Sequence, residues 1–232
     1  MIKENIATVQ KNIALACERA GRDVSEVTLI AVSKTKPIEM LLEAYEAGMR
    51  EFGENKPQEM RDKSNAILEP IRWHMIGSLQ KNKIKYVAGT ACLIHSVDSI
   101  ELAEAIDKEA KKREIVCDIL LEVNIAAEES KHGFSPEELP DSVYQIAKLK
   151  NIHLCGLMTV APYTENAEEN RCYFRKMKEL LIDIKNKNID NISMDVLSMG
   201  MSSDYEVAVE EGATMVRVGT GIFGERIYPQ KG

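Results

Sequence analysis

No stretch of this 232-residue chain comes near the ~18 consecutive apolar residues that a membrane-spanning helix needs. The first 21 residues, MIKENIATVQKNIALACERAG, lack the apolar segment of a secretory signal and intersperse charges through an amphipathic helical pattern. Cysteines are few and widely spaced. Cys17, Cys92, Cys117, Cys155 and Cys172 are odd in number and contain no C-x-x-C pair, which argues against a disulfide framework and against a zinc knuckle. Reduced thiols in a soluble cytoplasmic protein are the expectation. The four histidines (His74, His95, His132, His153) sit on separate segments without paired ligand spacing, so no metal is expected. Positive charge is in deficit, with a formal net charge of −7. That balance argues against a general nucleic-acid binder, although a few local donors suffice for a small anion. A linker rich in Gly, Ser or Pro is also missing, as is any repeat, so residues 1–232 are expected to form one domain.

What is present is an alternation. After an N-terminal helix (1–21), short β-rich apolar runs are followed by longer helical segments. The spacing predicts strands over 27–34, 49–55, 71–77, 92–98, 116–124, 152–160, 193–200 and 214–224. Helical patterns cover 37–48, 99–113, 136–150 and 165–188. Pro37 fits a first helical turn, Gly48 a C-terminal cap, and Ser135 with Pro136 a helix start. Strand followed by helix implies parallel strands with right-handed crossovers, and eight strands favour a closed (β/α)8 barrel over an open sheet. The barrel is expected to span 27–226.

In such a barrel, chemistry gathers at the C-terminal ends of the strands. The first strand, in LIAVSKTKP, delivers Lys34 and Lys36 to its tip. Lys36 precedes Pro37, which keeps it extended and past the strand, so Lys34 is the one expected to enter the mouth. In MVRVGTG, alternation sends Val216 and Val218 to the helix layer and Arg217 into the barrel. There its charge needs a partner, either a carboxylate such as Glu54 or Glu122 or an acceptor on a ligand. SMGMSSD and GTG offer hydroxyls, small residues and backbone N–H groups suited to an anion, aided by a helix start. A turn with an N-cap explains SMGMSS equally well. A lysine near a second cation and a phosphate site is the layout of a Schiff-base cofactor such as pyridoxal phosphate. Taken on SKTKP alone, two lysines snorkelling at the rim are the plainer account.

The motifs LIAVSKTKP, FGEN, WHMIGSLQKNK, HSVDS, EVNIAAEESKHGF, GLMTVAP, LSMGMSSD and MVRVGTGIFGER run in order from residue 29 to 226. Together they closely resemble the pyridoxal-phosphate homeostasis protein family, whose barrel is shared with the N-terminal domain of alanine racemase. The resemblance implies that Lys34 carries pyridoxal 5'-phosphate as an internal aldimine and that Arg217 meets the pyridine nitrogen. It also implies that Ser198, Gly219 and Thr220, with Ser202, surround the phosphate. Asn55 and His74 would line the ring's surroundings, with Met199 and Met201 packed nearby. One local departure is Lys56-Pro57, where the family pattern has an aromatic and an aliphatic residue. A larger departure is from the racemases: the chain stops at Gly232, without the β-domain that supplies a catalytic tyrosine.

Guanidinium stays protonated and donates to the pyridine nitrogen without surrendering a proton, so the ring is a weaker electron sink. The resemblance therefore implies a cofactor-binding homeostasis protein, not an enzyme, that holds the cofactor and delivers it to apo-enzymes. The alternative is a low-activity amino-acid racemase in which Lys34 serves one face and Tyr163 or His95 the other. A third account drops the cofactor and leaves an ordinary phosphate-binding barrel enzyme. A monomer is expected, without nucleic-acid or membrane partners. Lys131, in a polar rim loop, is open to either a phosphate contact or plain solvation.

Overall fold

The computed structural model describes residues 1–128 and 132–225. Lys131, and Arg226 at the expected end of the barrel, lie outside the described residues. Eight strands close into one barrel in sequence order: β1 (Thr28–Val32), β2 (Glu51–Glu54), β3 (Arg72–Met75), β4 (Ala91–Val97), β5 (Cys117–Glu122), β6 (Ile152–Met158), β7 (Ile192–Met201) and β8 (Met215–Val218). Every neighbouring pair is parallel, and β8 returns to β1. The helices are α1 (Ile2–Ala20), α2 (Ile38–Glu46), α3 (Pro57–Ala66), α4 (Ile100–Lys112), α5 (Leu139–Ile146), α6 (Arg171–Lys185), α7 (Tyr205–Glu210) and α8 (Thr220–Phe223).

The (β/α)8 architecture is as expected, and the differences are local. The run over 214–224 is not one strand: β8 stops at Val218, and Gly219 turns the chain (φ −110°, ψ −75°) into the single turn of α8. β1 ends at Val32, so Lys34 stands on a turn rather than on the strand, with the Lys36 amide donating to the Ser33 carbonyl at 3.0 Å. Thr35 takes a left-handed φ of 63° there. The helix after β5 starts at Leu139 and not at Pro136. Ser135 Oγ caps the intervening turn, accepting from the Glu138 amide at 3.2 Å. Besides α8, two helices escaped the periodicity. α7 has six residues, and α3 buries only Pro57, Met60 and Lys63 on an otherwise polar surface. Pro57, part of the Lys56-Pro57 departure, is the first residue of α3, where its missing N–H is no loss.

Two apolar regions hold the barrel. Outward-facing strand residues such as Phe52, Ile119, Leu197, Val216 and Val218 pack under the helices. Inside, Leu93, Leu120, Cys155 and Met158 form a smaller cluster with Met215 beside it. α1 buries Ile2, Ile6, Val9, Ile13 and Ala16 along one stripe and packs on α7 and α8. Its Asn5 donates to the Ile222 carbonyl at 2.9 Å, and Arg22 to those of Val209 and Ala213 at 2.7 and 2.9 Å. The loops after β7 and β8 are thereby braced from behind. Gly200, with φ 86°, lets α7 close on the end of β7, because a Cβ there would lie 2.5 Å from that of Ala208. Among the described residues, no helix is long and apolar enough to cross a membrane.

Candidate functional site

A cavity of about 670 Å³ opens at the C-terminal mouth of the barrel. Its size is in the range of small-ligand sites, roughly 300–1,000 Å³. Val32, Ile76 and Val160 supply apolar wall, and Lys34, Lys36 and Arg217 bring three cations to one space.

The turn carrying Lys34 is anchored by a buried ion-pair network. Lys63 Nζ on α3 donates to the Ser33 carbonyl, Glu54 Oε1 and Glu59 Oε1, each at 2.8 Å. Glu54 Oε1 also accepts from Ser33 Oγ at 2.6 Å, and Glu59 Oε1 from the Thr35 amide at 2.6 Å. Residues 33 and 35 are therefore both tied down, on either side of Lys34. Burial raises the Glu54 carboxyl above its ordinary value, and the charge and hydrogen bond of Lys63 offset part of that rise. Lys36 is committed elsewhere: its Nζ donates to the carbonyls of Phe223, Gly224 and Glu225, each at 3.2 Å.

Arg217 points into the barrel, as the alternation of β8 requires, and is buried. The Glu54 ion pair weighed for it does not form, because Glu54 faces Lys63. Instead Arg217 donates through Nη1 to Ser198 Oγ at 2.6 Å and through Nη2 to the Thr159 carbonyl at 2.8 Å. Burial pulls the guanidinium down to about 10, and the charges of Glu122 and Asp204 resist this. It remains a cation at neutral pH. Two of its five N–H donors are used in these bonds, which leaves others for a ligand.

Beside Arg217, Ser202 Oγ accepts from the amides of Gly219 and Gly221 at 3.2 and 3.4 Å, joining the loop after β7 to that after β8. Buried Asp204 sets this loop. It accepts from the Met201 amide at 2.7 Å and, through its other oxygen, from Asn170 Nδ2 at 2.9 Å. Met201, Ser202, Ser203, Gly219 and Thr220 line this side. Asn55 lines the cavity with a buried Oδ1 that has no hydrogen-bond partner. Its backbone lies so close to Gly77 that a Cβ at 77 would sit 2.5 Å from the Asn55 carbonyl oxygen.

The cavity thus unites Lys34, Asn55, Met201, Ser202, Arg217, Gly219 and Thr220. Three expected site residues are elsewhere. Ser198 is fully buried beneath Arg217, its hydroxyl taken by Arg217 and by His95 Nδ1 at 2.9 Å, so it faces no cavity. His74 lies deeper still, between His95 and Glu51. Met199 faces outward into the helix-side core, because alternation along β7 opposes it to Ser198. Of the two candidate second proton carriers, His95 is buried out of reach. Tyr163 lines the cavity but is 90 % exposed. Lys63, Glu59 and the apolar wall were not anticipated. A lone lysine in the polar run PQEMRDKSNA carries no signal of burial. The fold also gathers two sets of side chains able to ligate a metal, Glu51–His74–Cys92 and Asp118–His153–Cys155, neither of which lines the cavity. Linear spacing did not reveal them.

A family model described as alanine racemase, N-terminal domain, matches residues 5–227. The chain belongs to this family. Within it, a relative in Aquifex aeolicus named pyridoxal phosphate homeostasis protein is 46 % identical over 226 residues, covering 97 % of this chain and 98 % of that one. The solved structure of PipY from Synechococcus elongatus with PLP bound superposes with a TM-score of 0.83 at 35 % identity, over 97 % of this chain and 100 % of PipY. The alanine racemase of Clostridium difficile gives a TM-score of 0.74 at 16 % identity, covering 99 % of this chain and 57 % of the racemase. At that identity the likeness to the racemase is one of fold.

Proposed function

We propose that the cavity binds pyridoxal 5'-phosphate, with Lys34 joined to its aldehyde carbon through a Schiff base, and that the protein serves intracellular homeostasis of this cofactor. When bound, the group supplies an electrophilic aldehyde and an aromatic ring that draws electrons. Condensation forms one C–N double bond and releases one water. The observation that carries this reading is that Lys34 and the buried cation Arg217 line one cavity that also holds an orphaned Asn55 oxygen. A buried acceptor without a partner costs about 1–3 kcal/mol, and a donor on a ligand would satisfy it. The names of the relatives and the PLP-bound state of PipY support the same assignment.

Within this reading, Arg217 donates to the pyridine nitrogen, while Ser202 with the Gly219–Thr220 backbone faces the phosphate. Ser198 acts only through Arg217. The role is one of holding and handing on, to apo-enzymes that need the cofactor. Arg217 keeps the ring a weak electron sink, and the described residues hold no second proton carrier rigidly opposite Lys34. Borohydride reduction of protein incubated with pyridoxal phosphate, followed by peptide mapping, tests it. The reduced adduct is expected on Lys34, and Lys34→Ala should stay colourless. An adduct confined to Lys36, or a wild type that takes up no cofactor, overturns the assignment. Substantial turnover of L-alanine in deuterium oxide with α-deuteration would restore the racemase alternative.

A further inference from the structure

We infer that Glu51, His74, His95 and Ser198 are positioning residues for Arg217, joined in a one-way hydrogen-bond chain that crosses the barrel from its far mouth to the cavity. The inference rests on the proposed role of Arg217 toward the cofactor ring and extends it to residues that never touch the ligand.

The chain is continuous. Arg217 Nη1 meets Ser198 Oγ at 2.6 Å, Ser198 Oγ meets His95 Nδ1 at 2.9 Å, His95 Nε2 meets His74 Nδ1 at 2.9 Å, and His74 Nε2 meets Glu51 Oε2 at 2.6 Å. The five residues come from β8, β7, β4, β3 and β2. Glu51 opens β2 at the far mouth, where its second oxygen pairs with Arg72 Nε at 2.8 Å. His74, His95 and Ser198 are shut off from solvent.

Its direction is set by its ends. A guanidinium only donates and an ionised carboxylate only accepts. Arg217 therefore donates a hydrogen bond to the Ser198 oxygen, and the serine hydroxyl donates in turn to His95 Nδ1. His95 must then carry its proton on Nε2 and donate to His74 Nδ1, and His74 must carry its proton on Nε2 and donate to Glu51. With both imidazoles neutral, reversing the sequence would leave the Ser198 hydroxyl proton without this acceptor and set a bare imidazole lone pair against a carboxylate at 2.6 Å. The surroundings agree. Burial, with the Arg217 cation nearby, pushes His95 well below its ordinary value, so it stays neutral. Burial raises the Glu51 carboxyl, but its hydrogen bond from His74 and its pairing with Arg72 outweigh it and leave it low, hence ionised. Cys92 Sγ, 3.6 Å from His74 Nε2, is raised to about 11 by burial and adds no charge. A barrel interior filled only by apolar side chains would be cheaper than four buried polar groups ending on a half-buried carboxylate. What the polar row provides is a fixed guanidinium: two of its nitrogens are held by Ser198 and Thr159, and the free donors are left aimed by default at the cavity it lines.

Two measurements test this. In ¹⁵N NMR of the cofactor-free protein, His74 and His95 are both expected neutral with the proton on Nε2. A proton on Nδ1 of either ring, or a doubly protonated ring at neutral pH, overturns the chain. Separately, Ser198→Ala and Ser198→Thr are titrated with pyridoxal phosphate. The alanine variant is expected to bind it roughly tenfold to a hundredfold more weakly, the scale of one hydrogen bond to a charged group. Its absorption spectrum at saturation should differ from wild type, and threonine, which keeps the hydroxyl, should recover most of both. An alanine variant that saturates with wild-type affinity and spectrum, whatever its melting temperature, reduces these residues to core filling and overturns the inference. A wild type that binds no cofactor overturns the proposed function instead, and the imidazole tautomers then decide the chain alone.

Discussion

Lys63→Met removes the ammonium that anchors the turn bearing Lys34 while keeping a side chain of similar length. In the native fold that ammonium donates to Ser33, Glu54 and Glu59, and its side chain is only 8 % exposed against 0 % for Glu54. Its loss leaves the Glu54 carboxylate buried with only Ser33 Oγ as partner. Breaking a buried pair from one side costs about 3–5 kcal/mol. At about 2–4 °C per kcal/mol for a domain of this size, the melting temperature should fall by roughly 6–20 °C. A second change, Glu54→Gln, removes the stranded charge, so the double variant should regain more than half of the loss. The pH dependence has a definite sign. A carboxyl raised in the folded state, as Glu54 is, stabilises the fold most when protonated, below its ordinary value. It destabilises as the pH climbs through its folded value. Without Lys63 that value rises further, so the deficit of K63M should be smaller at pH 5 than at pH 8. Thermal and urea unfolding of the four proteins of the cycle at both pH values measure all of this. A K63M loss under about 1 kcal/mol would place it among ordinary surface changes and refute the network's role, as would a double variant no more stable than K63M.

Two further outcomes are expected. Gly200→Ala puts a Cβ 2.5 Å from that of Ala208 at a left-handed φ of 86°. It should cost about 2–5 kcal/mol in unfolding experiments, the sum of backbone strain and overpacking, and should weaken cofactor retention by shifting Met201 and Ser202. Brief iodoacetamide treatment of the folded protein at pH 8 should modify Cys172, the exposed thiol, ahead of the other four. Burial raises Cys92 to about 11 and Cys155 to about 12, and lifts Cys17 and Cys117 as well. Mass spectrometry should find all five modified only after denaturation, and rapid alkylation of Cys155 in the native state would contradict its burial.

Much of the site was legible in the chain because strand alternation is strict. Val216 and Val218 had to share a face, so Arg217 had to point inward, and the same rule separates Met199 from Ser198. The rule says which side a residue faces but not how deep it lies. Ser198 and His74 both point inward, yet one lies under Arg217 and the other a layer below, because depth in a closed barrel depends on the stagger of the strands. The structure places both Lys34 and Lys36 on the cavity wall, and what separates them is not the strand end. β1 ends before both, and it is the three carbonyls at 223–225 that occupy Lys36.

The sequence by itself determined the barrel, the count of its strands and the inward turn of Arg217. Those follow from local periodicities of two and 3.6 residues, which hydrophobic burial enforces along any segment. Only the tertiary structure decided which polar groups meet: Lys63 with Glu54, Arg217 with Ser198, His74 with Glu51. Partners drawn from different strands and helices are set by barrel closure and by the need to pair each buried charge. No run of neighbouring residues carries that information.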